Sequence, residues 1–384
     1  MARTNLMIPE RRLRLRMRAL GKQTISAGQL AILYVSYMIG SSIINIPNPM
    51  IHFAGNMAWL SITVSALMGM LLLSLVLYLF RCYPDDEYTA CLNRVYGRWI
   101  AGVFIVLLIL MLFLMLAYII LDIGDFFTNT MMVETPMYVF NTLTIVVAAY
   151  TVYAGIEVMG RMFFLLMGSM MLAVVLIVFL AVPLTRTETL LPLFTEGIKP
   201  VLHGIYFSFG FPFGELFLFS VILPFVRKDS RRDAGKWLYA MTALSGFLLL
   251  IVILITVMTL GPLAGDRKFS LYAVARLIKV GNFMVGLEAI VGIALIAGSF
   301  TKATIVLFIL NYVTARFFKL DDDKLLLPAI SFITFLLSMT MFRTEDEFSF
   351  AVQVGWPFIV MTVGIVPLML AALITLLRRN MGRR

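Results

Sequence analysis

Glu215 and Lys302 each lie deep inside a long apolar run, residues 200–226 and 283–312 respectively. An ionisable group at that depth is costly unless it is paired, hydrated or used, so both are candidates for carrying a proton or cation or for gating. Lys302 is expected to face inward, either pairing with a carboxylate or serving as a built-in cation beside the first chain break described below. Glu157 and Arg161 stand at i, i+4 in the favourable order. Such a pair can latch a closed state, or simply start a helix. Asp122 and Asp125 share a face near the end of another apolar run, where hydration is a more natural fate than proton transfer. The only histidines are His52 and His203, and Cys82 and Cys91 fit no metal or redox spacing. The chain therefore offers no nucleophile–base set, and neither an enzyme, a cofactor nor a bound metal is expected. No glycine pattern cradles a phosphate, which argues against an ATP-driven pump.

The stretch that positions Glu215 is Phe207-Ser208-Phe209-Gly210-Phe211-Pro212-Phe213-Gly214-Glu215. Proline removes an amide donor and glycine weakens helix continuity, so a helix is expected to break there. Within a bilayer, unwound backbone is tolerated only where it is buried in protein or lines a wet cavity. A second break is expected at Gly40-Ser41-Ser42, in a run that also carries Asn45, Pro47 and Pro49. Taken alone, that Gly/Ser kink could equally let a neighbouring helix come close. Paired breaks point to a binding site at the membrane midplane. The substrate-binding candidates are thus Gly40, Ser41, Ser42, Phe209, Gly210, Phe211, Gly214 and Glu215, with Tyr118 as a pocket wall.

The elements that must hold these residues are membrane helices. Of 384 residues, 61% are hydrophobic and 14% charged, with a mean hydropathy of +0.97. That is far outside the soluble globular range. Ten apolar runs are long enough to span a bilayer, and the chain reads as an all-α integral membrane protein of ten transmembrane helices. Twenty-three Lys and Arg residues fall on the side of the N-terminus and seven on the other, which predicts both termini in the cytoplasm. The arginine-rich arm ahead of the first run is a topology anchor near anionic headgroups, and nucleic acid is not an expected partner. The two broken crossings stand five apart in order, so the halves run in opposite senses as a 5+5 inverted repeat with helices 1 and 6 broken. The expected divisions are a basic arm (1–25), a first repeat (26–182), an outer connector (183–199), a second repeat (200–377) and a basic tail (378–384).

Several motifs carry a resemblance. Gln29-Leu30 through Gly40-Ser41-Ser42-Ile43, then Ala58-Trp59, resemble the first-helix region of the spore germination receptor B subunits, the GerAB type. So do Gly155-Ile156-Glu157 with Arg161, and Leu191-Pro192-Leu193 followed by Phe211-Pro212-Phe213-Gly214-Glu215. The resemblance covers nearly the whole chain in order. It implies a LeuT-like member of the amino acid-polyamine-organocation superfamily in the inner membrane of a spore. It also implies an A-type membrane subunit and a C-type lipoprotein as partners, and a small-molecule germinant such as an amino acid as ligand.

The combined expectation is a germinant-sensing subunit. A zwitterionic nutrient would place its carboxylate on amides near Ser41 and Ser42. Its ammonium would meet carbonyls around Phe209 and Gly210 or the Glu215 carboxylate. A proton-coupled amino-acid transporter, with Glu215 or Lys302 carrying the proton, is one alternative. An assembly scaffold or ion-path subunit is another.

Overall fold

Ser26 starts the first crossing with a reciprocal cap. Its hydroxyl accepts from the Gln29 amide at 3.2 Å, and Gln29 Oε1 accepts from the Ser26 amide at 2.9 Å. Helix α1, Ala27–Ile39, ends at Gly40, whose backbone leaves the helical region at φ −32°, ψ −81°. A four-residue rung, α2 (Ser42–Asn45), follows, and Pro47 then opens α3, Pro47–Ala54. Proline suits that position because its missing amide has no intrahelical partner there anyway. Gly55, at φ 52°, turns the chain into α4, Ala58–Cys82.

This is a computed structural model, and it describes residues 23–84, 86–192, 197–278, 288–320 and 322–381. The arginines of the basic arm, Leu193, Lys279, residues 283–287 and the last three residues lie outside that set. Among the described residues, ten helical segments are long and apolar enough to cross a membrane. After α4 come α5 (Tyr88–Tyr96), α6 (Arg98–Thr130), α7 (Met137–Ala154) and α8 (Ile156–Ala181). The sixth crossing begins as α9, Lys199–Ser208, and resumes as α10, Phe219–Ile222. The remainder comprises α11 (Arg231–Leu260), α12 (Ser270–Leu277), α13 (Glu288–Phe317), α14 (Leu327–Thr340), α15 (Glu345–Phe350), α16 (Trp356–Ile359) and α17 (Val366–Met381).

The sixth crossing breaks where its sequence demands. Between α9 and α10 the backbone widens over Phe209–Phe213, with Phe211 fully extended at φ −143°, ψ 112° and Pro212 supplying no amide. A tight turn, Gly214–Leu218, then re-enters the helix. The first crossing breaks at Gly40 for a different reason. A β-carbon there would stand 2.5 Å from the Gly298 carbonyl oxygen, and one on Gly298 would meet the Gly40 carbonyl. The two glycines let α1 and α13 touch backbone to backbone.

Burial sorts the crossings into a centre and a jacket. Ala27–Asn45, Lys199–Phe225 and Glu288–Phe317 are 83, 78 and 82% buried over their most apolar stretches, whereas Met137–Ala154 and Asp323–Thr340 are 28 and 22% buried. The two broken crossings and α13 therefore form the core. Side chains such as Leu165, Leu172 and Phe179 on α8 are exposed and face the surrounding lipid. On the side of the termini, a short backbone ladder joins the broken crossings. The Ile25 amide donates to the Phe225 carbonyl and the Arg227 amide to the Ile25 carbonyl, each at 3.0 Å.

Candidate functional site

Glu215 follows directly from the second break, which turns its side chain into the centre of the bundle. It is 1% exposed and saturated with donors. Lys302 Nζ donates to Oε2 at 2.8 Å, Trp356 Nε1 to Oε1 at 2.6 Å, and the Tyr37 hydroxyl to Oε2 at 3.4 Å. Lys302 has no exposure at all and also rests over the Phe211 ring, 4.2 Å from its centroid, and over Tyr37 at 5.0 Å. The buried charge pair is thus compensated from both sides, which is the condition for its persistence in a low-dielectric interior. One layer further toward the termini, the Tyr34 hydroxyl and Thr242 share a 2.8 Å hydrogen bond, and Tyr34 and Tyr37 both pack edge-on against Phe219.

On the other side of this pair a cavity of about 690 Å³ opens away from the termini. Its floor is Ser41 from the first break, Phe211 and Glu215 from the second, and Lys302. Met115, Tyr118, Ile119 and Asp122 of α6 make one wall, and Trp356 with Gln353 makes another. Tyr118 stacks edgewise near Trp356, Phe342 and Phe348, all within 6 Å between centroids. Asp122 accepts from Asn45 Nδ2 at 2.5 Å. At the mouth, Lys268 bridges two carboxylates, Asp125 at 2.6 Å and Glu345. Burial by itself would lower the Lys268 pKa, but those two carboxylates outweigh it and hold the ammonium above its ordinary range. Asn48 Nδ2 donates to the carbonyls of Gly265 and Arg267, tying α3 to the loop that carries Lys268.

Of the candidate residues, Ser41, Tyr118, Phe211, Glu215 and Lys302 meet at this one cavity. The others stand elsewhere. Gly40 packs on Gly298, Gly210 on Pro357, and Gly214 on Val360 and Ile365, each serving close helix contact. Ser42 and Phe209 are buried outside the cavity lining. Phe209 and Gly210 are not part of the cavity lining, and Gly210 packs closely on Pro357 of α16. The Glu215 carboxylate, expected as an ammonium partner, is already filled by three protein donors. Glu157 and Arg161 form a 3.0 Å ion pair on the surface at the start of α8, away from the cavity. The structure adds Tyr37, Asn45 and Trp356 to the site. Asn45 beside the first break and Trp356 between Gly355 and Pro357 carried the available signal, polar groups next to helix-weakening residues within apolar runs.

Residues 24–347 match the spore germination protein family. The chain belongs to that family. Within the family it is 29% identical over 330 residues to spore germination protein KB of Bacillus subtilis (strain 168), covering 85% of this chain and 87% of that one. It is 18% identical over 185 residues to spore germination protein YndE of the same organism, covering 47 and 50%. Among solved structures, MhsT in complex with L-phenylalanine superposes with a TM-score of 0.68 at 14% identity, over 93% of this chain and 99% of that one. A mutant form of the Eremococcus coleocola manganese transporter gives 0.62 at 15% identity, over 90 and 76%. These structural likenesses concern the fold: a ten-helix, LeuT-like 5+5 inverted repeat with helices 1 and 6 broken. The chain is a multi-pass membrane protein of the spore germination protein family, not an enzyme.

Proposed function

We propose that this chain is the nutrient-binding membrane subunit of a spore germinant receptor, and that a small nutrient, an amino acid in the first instance, occupies the cavity between the two breaks. The observation that carries this reading is the shared cavity itself, whose floor takes one residue, Ser41, from the first break and two, Phe211 and Glu215, from the second. A guest touching both half-helix junctions binds one arrangement of them better than another, and only such differential affinity shifts a conformational equilibrium. In this reading the chain works beside an A-type membrane subunit and a C-type lipoprotein in the spore inner membrane, with both termini cytoplasmic. Family membership supports the partnership, and the bias of Lys and Arg supports the orientation. The test is saturable thermal stabilisation of the purified protein by a nutrient, lost when Ser41→Phe fills the floor, together with spores of that variant that no longer respond. Stabilisation that survives Ser41→Phe unchanged would move the ligand elsewhere.

A proton-coupled amino-acid transporter is supported by the Glu215–Lys302 pair, a buried ionisable couple at the junction of a broken helix. Uptake of labelled amino acid into proteoliposomes, driven by a pH gradient and absent without one, would favour transport over sensing alone.

A further inference from the structure

The cavity has a charge balance that selects among nutrients, and this step rests on the reading of it as the nutrient site. Its lining holds five carboxylates, Asp122, Glu215, Asp266, Glu345 and Asp346, against two lysines. Both lysines are committed, Lys302 to Glu215 and Lys268 to Asp125 and Glu345. Asp122 makes no ion pair among the described residues. The space left for a guest therefore carries a negative field, which a low-dielectric wall focuses inward.

Within that field Asp122 occupies a distinctive place. Met115, Tyr118, Ile119 and Asp122 follow the i, i+3, i+4, i+7 spacing, so Asp122 continues the α6 stripe that faces the cavity. Asn45, directly after the first break, donates to one of its oxygens. Asp122 Oδ1 and Asn45 Oδ1 accept no hydrogen bond among the described residues, and both residues line the cavity. Acceptors on two hydrogen-bonded side chains, one of them a carboxylate, suit a group with several N–H donors and a positive charge. A metal ion is a poorer match, since no group of three His, Cys, Asp or Glu side chains gathers there or elsewhere among the described residues.

We infer that Asp122 and Asn45 are the amine-recognition point of the cavity, and that its ligands are small primary amines, amino acids included, with the ammonium seated on Asp122. Glu215 does not contact the ligand amine; it holds Lys302 and Trp356 in place behind it. Sugars and 2-hydroxy acids lack the charge this point recognises.

The experiment compares ligands of one skeleton on the full-length purified protein. Thermal shift and calorimetric titration are run with a panel of amino acids, with the 2-hydroxy acid corresponding to each, and with hexoses. The expected result is saturable binding of at least one amino acid, with the matching hydroxy acid weaker by about tenfold or more, the worth of one charge-assisted hydrogen bond. Asp122→Asn should weaken the amino acid to a similar extent, while Glu188→Gln, on an exposed turn, should not. Comparing ligands on the wild-type protein keeps the test decisive even where Asp122→Asn fails to fold. A hydroxy acid or hexose that binds as well as the amino acid, or a folded Asp122→Asn protein with wild-type affinity, overturns the amine inference while leaving a nutrient site standing. No binding by any member of the panel removes the nutrient site and the inference together.

Discussion

Lys302 Nζ lies 2.8 Å from Glu215 Oε2, joining the second break to α13 where neither side chain is more than 1% exposed. Removing one partner strands the other charge without water, so Glu215→Ala or Lys302→Met alone is expected to cost about 3–5 kcal/mol of stability. Replacing both with apolar residues of similar size, Glu215→Leu with Lys302→Met, is expected to recover most of that loss. Thermal unfolding of the three variants in one detergent checks this, and simple additivity would refute it.

The Gly40–Gly298 contact predicts a position-specific penalty. Gly40→Ala brings a methyl against backbone that cannot rotate away, and is expected to destabilise by about 1–3 kcal/mol. Gly102, on α6, has open space around it, and Gly102→Ala should be neutral or stabilise by about 0.5–1 kcal/mol. Equal effects at the two sites would show that α1 and α13 do not meet as closely as described.

The Lys268 bridge should restrict access to the cavity. Lys268→Gln is expected to raise, several-fold, the rate at which a cysteine introduced at Ser41 reacts with a membrane-impermeant thiosulfonate. The Lys268 ammonium titrates above its ordinary value of 10.5 in the folded protein. A cation with a raised folded pKa contributes fully below the unfolded value and loses its contribution only as pH climbs through the folded one. Access, corrected for the cysteine's own titration, should therefore be flat from neutral pH to about 10 and increase beyond that. A rise already near neutral pH would show that another group controls the mouth.

Cys91, on α5 outside the crossings, is a partly shielded thiol. Burial first, and Asp86 next, push its pKa up to about 11 despite Arg94. Because the thiolate is the nucleophile, alkylation of Cys91 in a Cys82→Ser background should be slow at neutral pH and reach half its limiting rate near pH 11. Half-maximal alkylation at the ordinary thiol value would contradict the packing around α5.

Much of this architecture is legible in the residues. Apolar run length gives ten crossings, and Gly210, Pro212 and Gly214 mark the second break because their backbone chemistry is local. The depth of Lys302 in its run indicates that it needs a partner. Which carboxylate answers it is not local information, since 87 residues separate Lys302 from Glu215. For the same reason Glu215 reads as an open ligand for an ammonium until Trp356 and Tyr37 are seen to fill it. Asp122 reads as an interfacial, hydrated residue because sequence gives its distance from the end of its run and not the hollow beside it. The glycines show the converse ambiguity: Gly40 and Gly210 weaken a helix whether the purpose is to expose backbone or to seat a neighbour, and here both seat neighbours.

The paired backbone hydrogen bonds between Ile25 and residues 225 and 227 have a mechanical meaning. They fasten the terminus-side ends of the two interrupted rods to each other, so the floor of the molecule cannot part until that short zipper is undone. Of the described residues, Ile25 is the one that any such parting would strain first, since it holds both hydrogen bonds of the pairing.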